Sequence, residues 1–439
     1  MEIRDPIHGS IHILKEEEAI IKAEFFQRLR NIKQLGFSEY VFPGATHTRL
    51  IHSIGVMNVG DMAFEKLFRG KAQTPDLLRI KQTFKLACLL HDIGHAPLSH
   101  STESVMPTLR ELDIPNLYLS EKDKGQLDRQ ATHEDYTIKA IVDSSFADSF
   151  KDMEKTFGVE RRYIADLISG HTLTPEYFTL DKVNYFPLLH QLVSSELDCD
   201  RMDYLLRDSY FCGVSYGNYD LDWLLDNLEP AIIEGVATLG ISERAVITFD
   251  DFLLSRYHMF VMVYFHYRAV CLEQLLLRYF KTSPYEYMIP ADIEKYIEHD
   301  DYHLMKILRH SNNPYAQALV KNQTPEKIFE SFNSDQLVTL DKVQAYLESR
   351  NIEIIRGSST GRLSKYYTAD RPSNKSKYTM KVVRNEKLSG SVEYFDINQA
   401  TDLFQKFSKA HAINRLHCHH SDLSDKDRSE ISKIIKGAE

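Results

Sequence analysis

A chain of 439 residues can bury a large core, and its length suggests one large domain with a smaller appendage, or two to three domains. Its 43% hydrophobic and 26% charged residues are ordinary for a globular protein, and no stretch approaches the roughly 20 apolar residues of a bilayer-spanning helix, which argues against membrane insertion. The formal net charge of -10 disfavours wholesale wrapping of nucleic acid, whose non-specific affinity comes mainly from phosphate neutralisation, but it leaves room for a cleft that concentrates a few arginines.

The first ten residues contain Glu2, Arg4 and Asp5 and lead into no apolar run, so no secretory signal is expected and the cytoplasm is the default address. Residues 3–9 read as a short strand turning at Pro6-Ile7-His8-Gly9 into Ile11-His12-Ile13. Up to about residue 285 the text is mostly helical. Residues 81–91 are almost continuously apolar, as in a helix buried on nearly all sides, and residues 252–280 predict a second such helix. After about Pro314 the texture changes. Helical segments over 324–332 and 337–350 precede an extended stretch at 352–355, a Ser/Gly/Lys/Tyr-rich loop, and a hairpin of residues 378–383 and 392–395. The charged residues 422–439 read as a surface helix. The expected fold is mainly α: a helical core over 1–290 and a smaller C-terminal α+β region over 291–439, the latter serving oligomerisation or regulation. Cys88, Cys199, Cys212, Cys271 and Cys418 form no CxxC pair, which argues against a disulfide framework and a structural zinc site.

The strongest local signal is His91-Asp92-Ile93-Gly94-His95 at the end of the apolar 81–91 helix. Burying an aspartate and an imidazole there is costly unless something compensates, and a divalent cation does so directly. An isolated His-Asp pair is more often a helix-end cap. His52 and Asp200 change the odds, because with His91 and Asp92 they supply two imidazoles and two carboxylates. Such a set neutralises a divalent ion, leaves positions for water and a phosphate oxygen, and suits Mn, Fe, Ni, Co or Zn better than Mg or Ca.

The order His, His-Asp, Asp resembles the HD-domain superfamily, and the resemblance implies an HD-type catalytic domain for the helical core. The flanking text resembles its deoxynucleotide triphosphohydrolase branch: Asp5-Pro6-Ile7-His8-Gly9, Phe26 to Arg30, Ile32 to Gly36, Pro43-Gly44-Ala45, Arg49, His52 to Val56, His91 to His100, Asp198 to Asp208, Arg256, and Tyr264-Phe265-His266. The match covers roughly residues 3–285, and no sterile-alpha-motif domain is expected. The resemblance implies His52, His91, Asp92 and Asp200 as metal ligands, with additional Mg accompanying the nucleotide. It implies His95 and His133 as catalytic imidazoles beside the α-phosphate, a task suited to a pKa near neutrality. Glu103 takes the place of the carboxylate that orients them, with Glu134 a competitor.

Phosphate handling needs fixed positive charge, for which Arg49, Arg201 and Arg256 are the candidates; an unremarkable solvated arginine is the alternative for each. Asp200, Tyr204 and Asp208 fall at i, i+4 and i+8 on one helix face. By resemblance Gln34 and Asp208 bind the deoxyribose 3′-hydroxyl and Tyr264 crowds the 2′ position. Departures from the animal enzyme are Phe265 in place of a glutamine and Lys22 in place of an acidic residue that reads a guanine activator, although Gln27 and Arg30 remain.

The implied reaction converts a deoxynucleoside triphosphate and water to a deoxynucleoside and triphosphate. The implied partners are a nucleotide substrate, a nucleotide effector and further copies of the chain in a dimer or tetramer. The rivals are another HD-type nucleotidase or phosphodiesterase, a nuclease or nucleic-acid-binding protein, and a non-catalytic nucleotide sensor. The basic, tyrosine-containing stretch over 356–387 reads first as a solvated loop and second as a phosphate site shared between subunits.

Overall fold

The computed structural model describes residues 1–119, 121–332, 336–361, 379–386, 391–401, 403 and 411–437. Strands β1 (Glu2–Asp5) and β2 (Gly9–His12) pair antiparallel with Ile3 opposite Ile11. Their turn is held by Asp5 Oδ1, which accepts the N–H groups of Ile7 at 2.8 Å and His8 at 2.9 Å. Gly9 closes it with a φ of 73°, a conformation that a residue without Cβ adopts freely.

The centre of the molecule is built from α1 (Arg49–Leu67), α2 (Pro75–Leu90), α3 (His133–Val142) and α4 (Cys199–Cys212). The starts of α2, α3 and α4 have a chemical cause. Thr74 accepts the N–H of Leu77 and Pro75 fills the first turn of α2; Thr132 and Asp135 form a capping box on α3; Asp198 accepts the N–H of Arg201 on α4. Helix α1 packs against both α2 and α4, with Phe64, Phe84, Leu89 and Met202 in the shared core. Small residues permit the close approach: a Cβ on Gly60 would lie 2.7 Å from Cys88 Sγ.

The apolar run over 252–280 is not one helix. It divides into α5 (Val246–Met259), a π-helical turn (Phe260–Tyr264) and α6 (Tyr267–Thr282), with a 62° bend between the two halves. Phe265 and His266 leave the helical region, and His266 Nδ1 accepts the N–H of Arg268 to start α6. A continuous apolar pattern carries no mark of such a break, because both halves are buried. Among the described residues no single helix is long and apolar enough to cross a membrane.

Strands β3 (Leu228–Ile233) and β4 (Val236–Ser242) form a hairpin against the helices. Further along lie β5 (Glu326–Ser331), α7 (Leu337–Ser349), β6 (Ile355–Gly361), β7 (Lys381–Asn385), β8 (Val392–Asp396), β9 (His411–Cys418) and α8 (Asp425–Lys436). The β7–β8 hairpin lies where the alternation predicts one, and β7 joins β4 in parallel with Val382 opposite Ile241. The C-terminal hairpin thereby extends a sheet of the helical region.

Residues 324–332, expected to be helical, contain β5 instead, paired antiparallel with β9 so that Phe329 faces Leu416. A distant partner decides that segment, and local propensity does not register it. The sheet β5–β9–β6 packs with α7 and α8 around Leu340, Val343, Leu347 and Leu416, a small core separate from the main one. Of the basic stretch over 356–387, residues 362–378 and 387 lie outside the described residues. Arg356, Lys381 and Arg384 are paired with Asp341, Asp396 and Glu243 respectively.

Candidate active site

His52 sits in the first turns of α1, fully buried. Its Nδ1 lies 2.8 Å from Asp203 Oδ2 and its Nε2 lies 3.0 Å from Asp200 Oδ1. His91 follows α2 directly; its Nδ1 lies 2.8 Å from the carbonyl oxygen of Cys88 and its Nε2 lies 3.6 Å from the same Asp200 Oδ1. In each imidazole, Nδ1 as donor leaves the Nε2 lone pair directed at Asp200. Both Nε2 atoms are buried and make no hydrogen bond of good geometry. The donor atoms of His52, His91 and Asp200 lie within 4.8 Å of one another, close enough to share one ion. Orphaned nitrogens converging on a carboxylate fit a divalent cation of borderline softness.

The electrostatics agree with that fit. Burial opposes charging His52 and His91. Even so, the close Asp200 carboxylate and the hydrogen bond to Asp203 push the His52 pKa up to about 9, and the Asp92 charge with the Asp200 contact pushes that of His91 up to about 9. Burial likewise opposes the Asp200 charge, yet the two imidazoles hold its carboxyl well below the usual range. The pocket without a cation thus gathers protons where positive charge is wanted.

Asp92, the fourth expected ligand, stands beside this group. Its Oδ1 lies 3.4 Å from His91 Nε2 and 3.2 Å from His95 Nε2, and its Oδ2 lies 3.5 Å from His52 Nε2. The Arg49 guanidinium donates to Oδ2 and also to Ser99 Oγ at 2.9 Å.

Behind the ligands lies a charged layer to which the sequence reading assigned no roles. Asp203 accepts Arg207 at 2.7 Å on both oxygens, and His8 Nε2 lies 2.6 Å from its Oδ1. Arg207, fully buried, also donates to Asp5 Oδ2 at 2.8 Å. The β1–β2 turn therefore reaches His52 from Asp5 through Arg207 and Asp203, and from His8 through Asp203 alone. The available signal was the spacing of Asp200, Asp203 and Arg207 at i, i+3 and i+7, with Asp5 and His8 in one short motif. Gly55 is obligatory here, since a Cβ would lie 2.1 Å from Asp203 Oδ1 and 2.2 Å from Arg207 Nη2.

A cleft of about 390 Å³ opens beside the centre. Gln34, Arg49, Tyr204, Asp208 and Tyr264 line it together with Asp92, His95, His133 and Asp200. Arg201 and Arg256 are not among the lining residues; Arg201 is turned to Asp198 and Arg256 to Glu196. Asp208 is fixed by two donors, His47 Nε2 at 2.7 Å from Oδ1 and Tyr264 Oη at 2.7 Å from Oδ2. His47 is a further residue to which the sequence reading assigned no role.

His95 and His133 stack with ring centroids 3.9 Å apart and planes 11° from parallel. Glu103 sits behind them, its Oε1 2.5 Å from His133 Nδ1 and 3.1 Å from His100 Nδ1. Of the two candidate orienting carboxylates, Glu103 rather than Glu134 makes this contact among the described residues. His100 joins the group unforeseen, its ring edge-on to His95 at 4.8 Å. Burial, then the charges of Arg49 and His133, hold the His95 pKa well below the imidazole range, so His95 is a neutral ring at pH 7. Bonds to His100 and His133 overcome burial and keep Glu103 ionised.

Residues 49–207, from Arg49 to Arg207, match the HD domain family. An uncharacterised protein of Mycoplasma pneumoniae is 32% identical over 273 residues, which cover 62% of this chain and 57% of that relative. The deoxynucleoside triphosphate triphosphohydrolase SAMHD1 of Mus musculus is 32% identical over 231 residues, 49% of this chain and 32% of the relative. The chain spans little more than half the length of the first of these, at 57%. The crystal structure of a hypothetical protein from Aquifex aeolicus shares the fold, with a TM-score of 0.74 at 24% identity, covering 98% of this chain and 99% of that one. His52, His91, Asp92 and Asp200 all fall inside the segment of this chain that matches the HD domain family.

Proposed function

We propose that this protein is a metal-dependent phosphohydrolase that converts a deoxynucleoside triphosphate and water to a deoxynucleoside and inorganic triphosphate. The observation that carries the reading is the meeting of His52 Nε2, His91 Nε2 and Asp200 Oδ1 beside the Arg49–Asp92 pair at the wall of the cleft. Similarity to proteins named deoxynucleoside triphosphate triphosphohydrolase supports the substrate class.

His52, His91 and Asp200 would hold the cation, with Asp92 as the adjacent fourth donor. When bound, the ion supplies Lewis-acid charge to the α-phosphate and to the attacking water. Arg49, kept in place by Asp92 and Ser99, offers its remaining guanidinium N–H groups to phosphate oxygens. Water adds to the α-phosphorus, the bond from phosphorus to O5′ breaks, and the leaving O5′ takes a proton. His133, its ring fixed by Glu103, supplies that proton, and neutral His95, stacked on it, takes the one that the attacking water gives up. At the sugar, Asp208 accepts a hydroxyl, and Tyr264, bonded to Asp208, fills the space a 2′-hydroxyl would need.

The test is incubation of the purified chain with each dNTP, rNTP and dNMP under Mn²⁺, Co²⁺ and Mg²⁺, followed by chromatography. Deoxynucleoside with triphosphate is the expected product pair. Monophosphate with pyrophosphate would overturn the mechanism, and hydrolysis of dNMP alone would move the protein to the nucleotidases.

A further inference from the structure

Glu273 lies on α6 and lines the same cleft. Helix α6 packs against the 3-10 segments Gly36–Tyr40 and Ser99–Val105, so Glu273 enters the cleft from a different element than the metal donors of α1, α2 and α4. Among the described residues Glu273 has no hydrogen-bond or ion-pair partner. The one lysine or arginine among the described lining residues is Arg49, and Asp92 already pairs with it. Burial alone pushes the Glu273 pKa up to about 7.

A partly buried carboxylate without donors costs free energy that a ligand can recover by supplying them. Resting on the triphosphohydrolase reading above, we propose that Glu273 reads the nucleobase and selects guanine. In that reading the triphosphate is taken by the cation and Arg49, and a carboxylate facing it with no cation between them is repelled. The deoxyribose is already served by Asp208 and Tyr264, which leaves the base. Guanine presents two adjacent donors, N1–H and the 2-amino group, on one edge, and they match the two oxygens of a carboxylate. Adenine and cytosine offer an amino donor beside a ring acceptor, and thymine offers a single N–H between two carbonyls. A pairing made with both oxygens penalises each of these, because it leaves one oxygen unmet or facing an acceptor.

The experiment compares the wild-type chain and Glu273→Gln, both loaded with Mn²⁺ at pH 8, on dGTP, dITP, dATP, dCTP and dTTP. Thermal melts and metal content establish that the variant is folded and loaded. The wild type is expected to favour dGTP, and to favour it over dITP, which lacks the 2-amino group. Glu273→Gln is expected to lower kcat/KM for dGTP about tenfold or more while leaving dTTP within about threefold, and to level dGTP with dITP. An equal fall for all substrates, as a carboxylate escorting Mg²⁺ with the triphosphate would give, overturns the inference, as does a wild type indifferent between dGTP and dITP. If no nucleotide is hydrolysed, the functional reading fails separately, and calorimetric binding of dGTP and dTTP decides. Equal or absent binding of the two then overturns base selection as well.

Discussion

Asp203 Oδ2 stands 2.8 Å from Nδ1 of His52, and this contact sets which nitrogen of His52 faces the cation pocket. Asp203 is itself clamped by Arg207 and approached by His8, so the imidazole is oriented by a carboxylate that cannot rotate. Asp203→Asn keeps the shape but supplies an amide that can present N–H to the ring. The variant is expected to bind Mn²⁺ or Co²⁺ about 10–100-fold more weakly. It is also expected to lose about 3 kcal/mol of stability, because Arg207 is left with a single carboxylate partner in a dry site. Chelator competition on variant that remains folded measures the first effect. Unchanged affinity would mean that His52 is oriented by packing alone.

Gly55 tests the same layer from the other side. Its hypothetical Cβ collides with Asp203 Oδ1 and Arg207 Nη2, at 2.1 Å and 2.2 Å. Neither group can retreat without breaking a buried ion pair. Gly55→Ala therefore should destabilise by about 3 kcal/mol or more, although alanine is the better helix former. A melting temperature at or above that of the wild type would contradict the geometry.

How much of this was legible in the sequence follows from the range of the interactions. His91 and Asp92 adjoin on one helix end, and Asp200, Tyr204 and Asp208 repeat on one helix face, so their convergence follows from local periodicity. The Asp5–Arg207 and His47–Asp208 pairs join residues far apart in the chain, and nothing local marks them. Arg201 shows the converse. Its guanidinium pairs with Asp198, three residues earlier at the cap of the same helix, a contact that local spacing does carry. Strand β5 was misread as helix because its partner β9 is remote in sequence.

Metal uptake should depend steeply on pH. In the pocket without a cation, His52 and His91 each have a pKa pushed up to about 9, so near neutrality both carry protons that a cation must displace. The sign follows from mass action: raising the pH removes the competing protons, and apparent affinity rises until pH passes about 9. With two sites titrating together, the slope approaches about two log units per pH unit. Calorimetry in buffers of differing ionisation enthalpy should detect about two protons released per ion at pH 7. Release of none would show that the two imidazoles are already neutral.

His47 stacks on Phe211 with centroids 4.5 Å apart while its Nε2 reaches Asp208. His47→Phe preserves the stack and removes the nitrogen, freeing Asp208 to rotate toward Tyr264. If Asp208 binds the sugar, KM for the deoxynucleotide should rise about tenfold with kcat less affected, and His47→Gln should restore part of the loss. A change confined to kcat would place Asp208 in the chemistry instead.

Glu103 separates proton handling from metal binding, because it touches His133 and His100 and belongs to neither the cation pocket nor the cleft lining. Its carboxyl is held well below the usual range by the two imidazoles despite partial burial, so it is an anion at any pH where the protein works. Glu103→Gln removes that charge at nearly constant volume. The stacked His95 and His133 rings then lose the carboxylate that fixes the orientation of His133 through its Nδ1. The expected outcome is a fall in kcat of about 10²-fold or more, with KM within about threefold and metal content unchanged. Metal content is the decisive control. His95, His100, Glu103 and His133 also bring donor atoms within 4.8 Å of one another, so a second cation there would be lost from Glu103→Gln in proportion to activity. A variant that keeps its metal and loses its rate assigns Glu103 to positioning the proton donor; one that loses both assigns it to a second metal site.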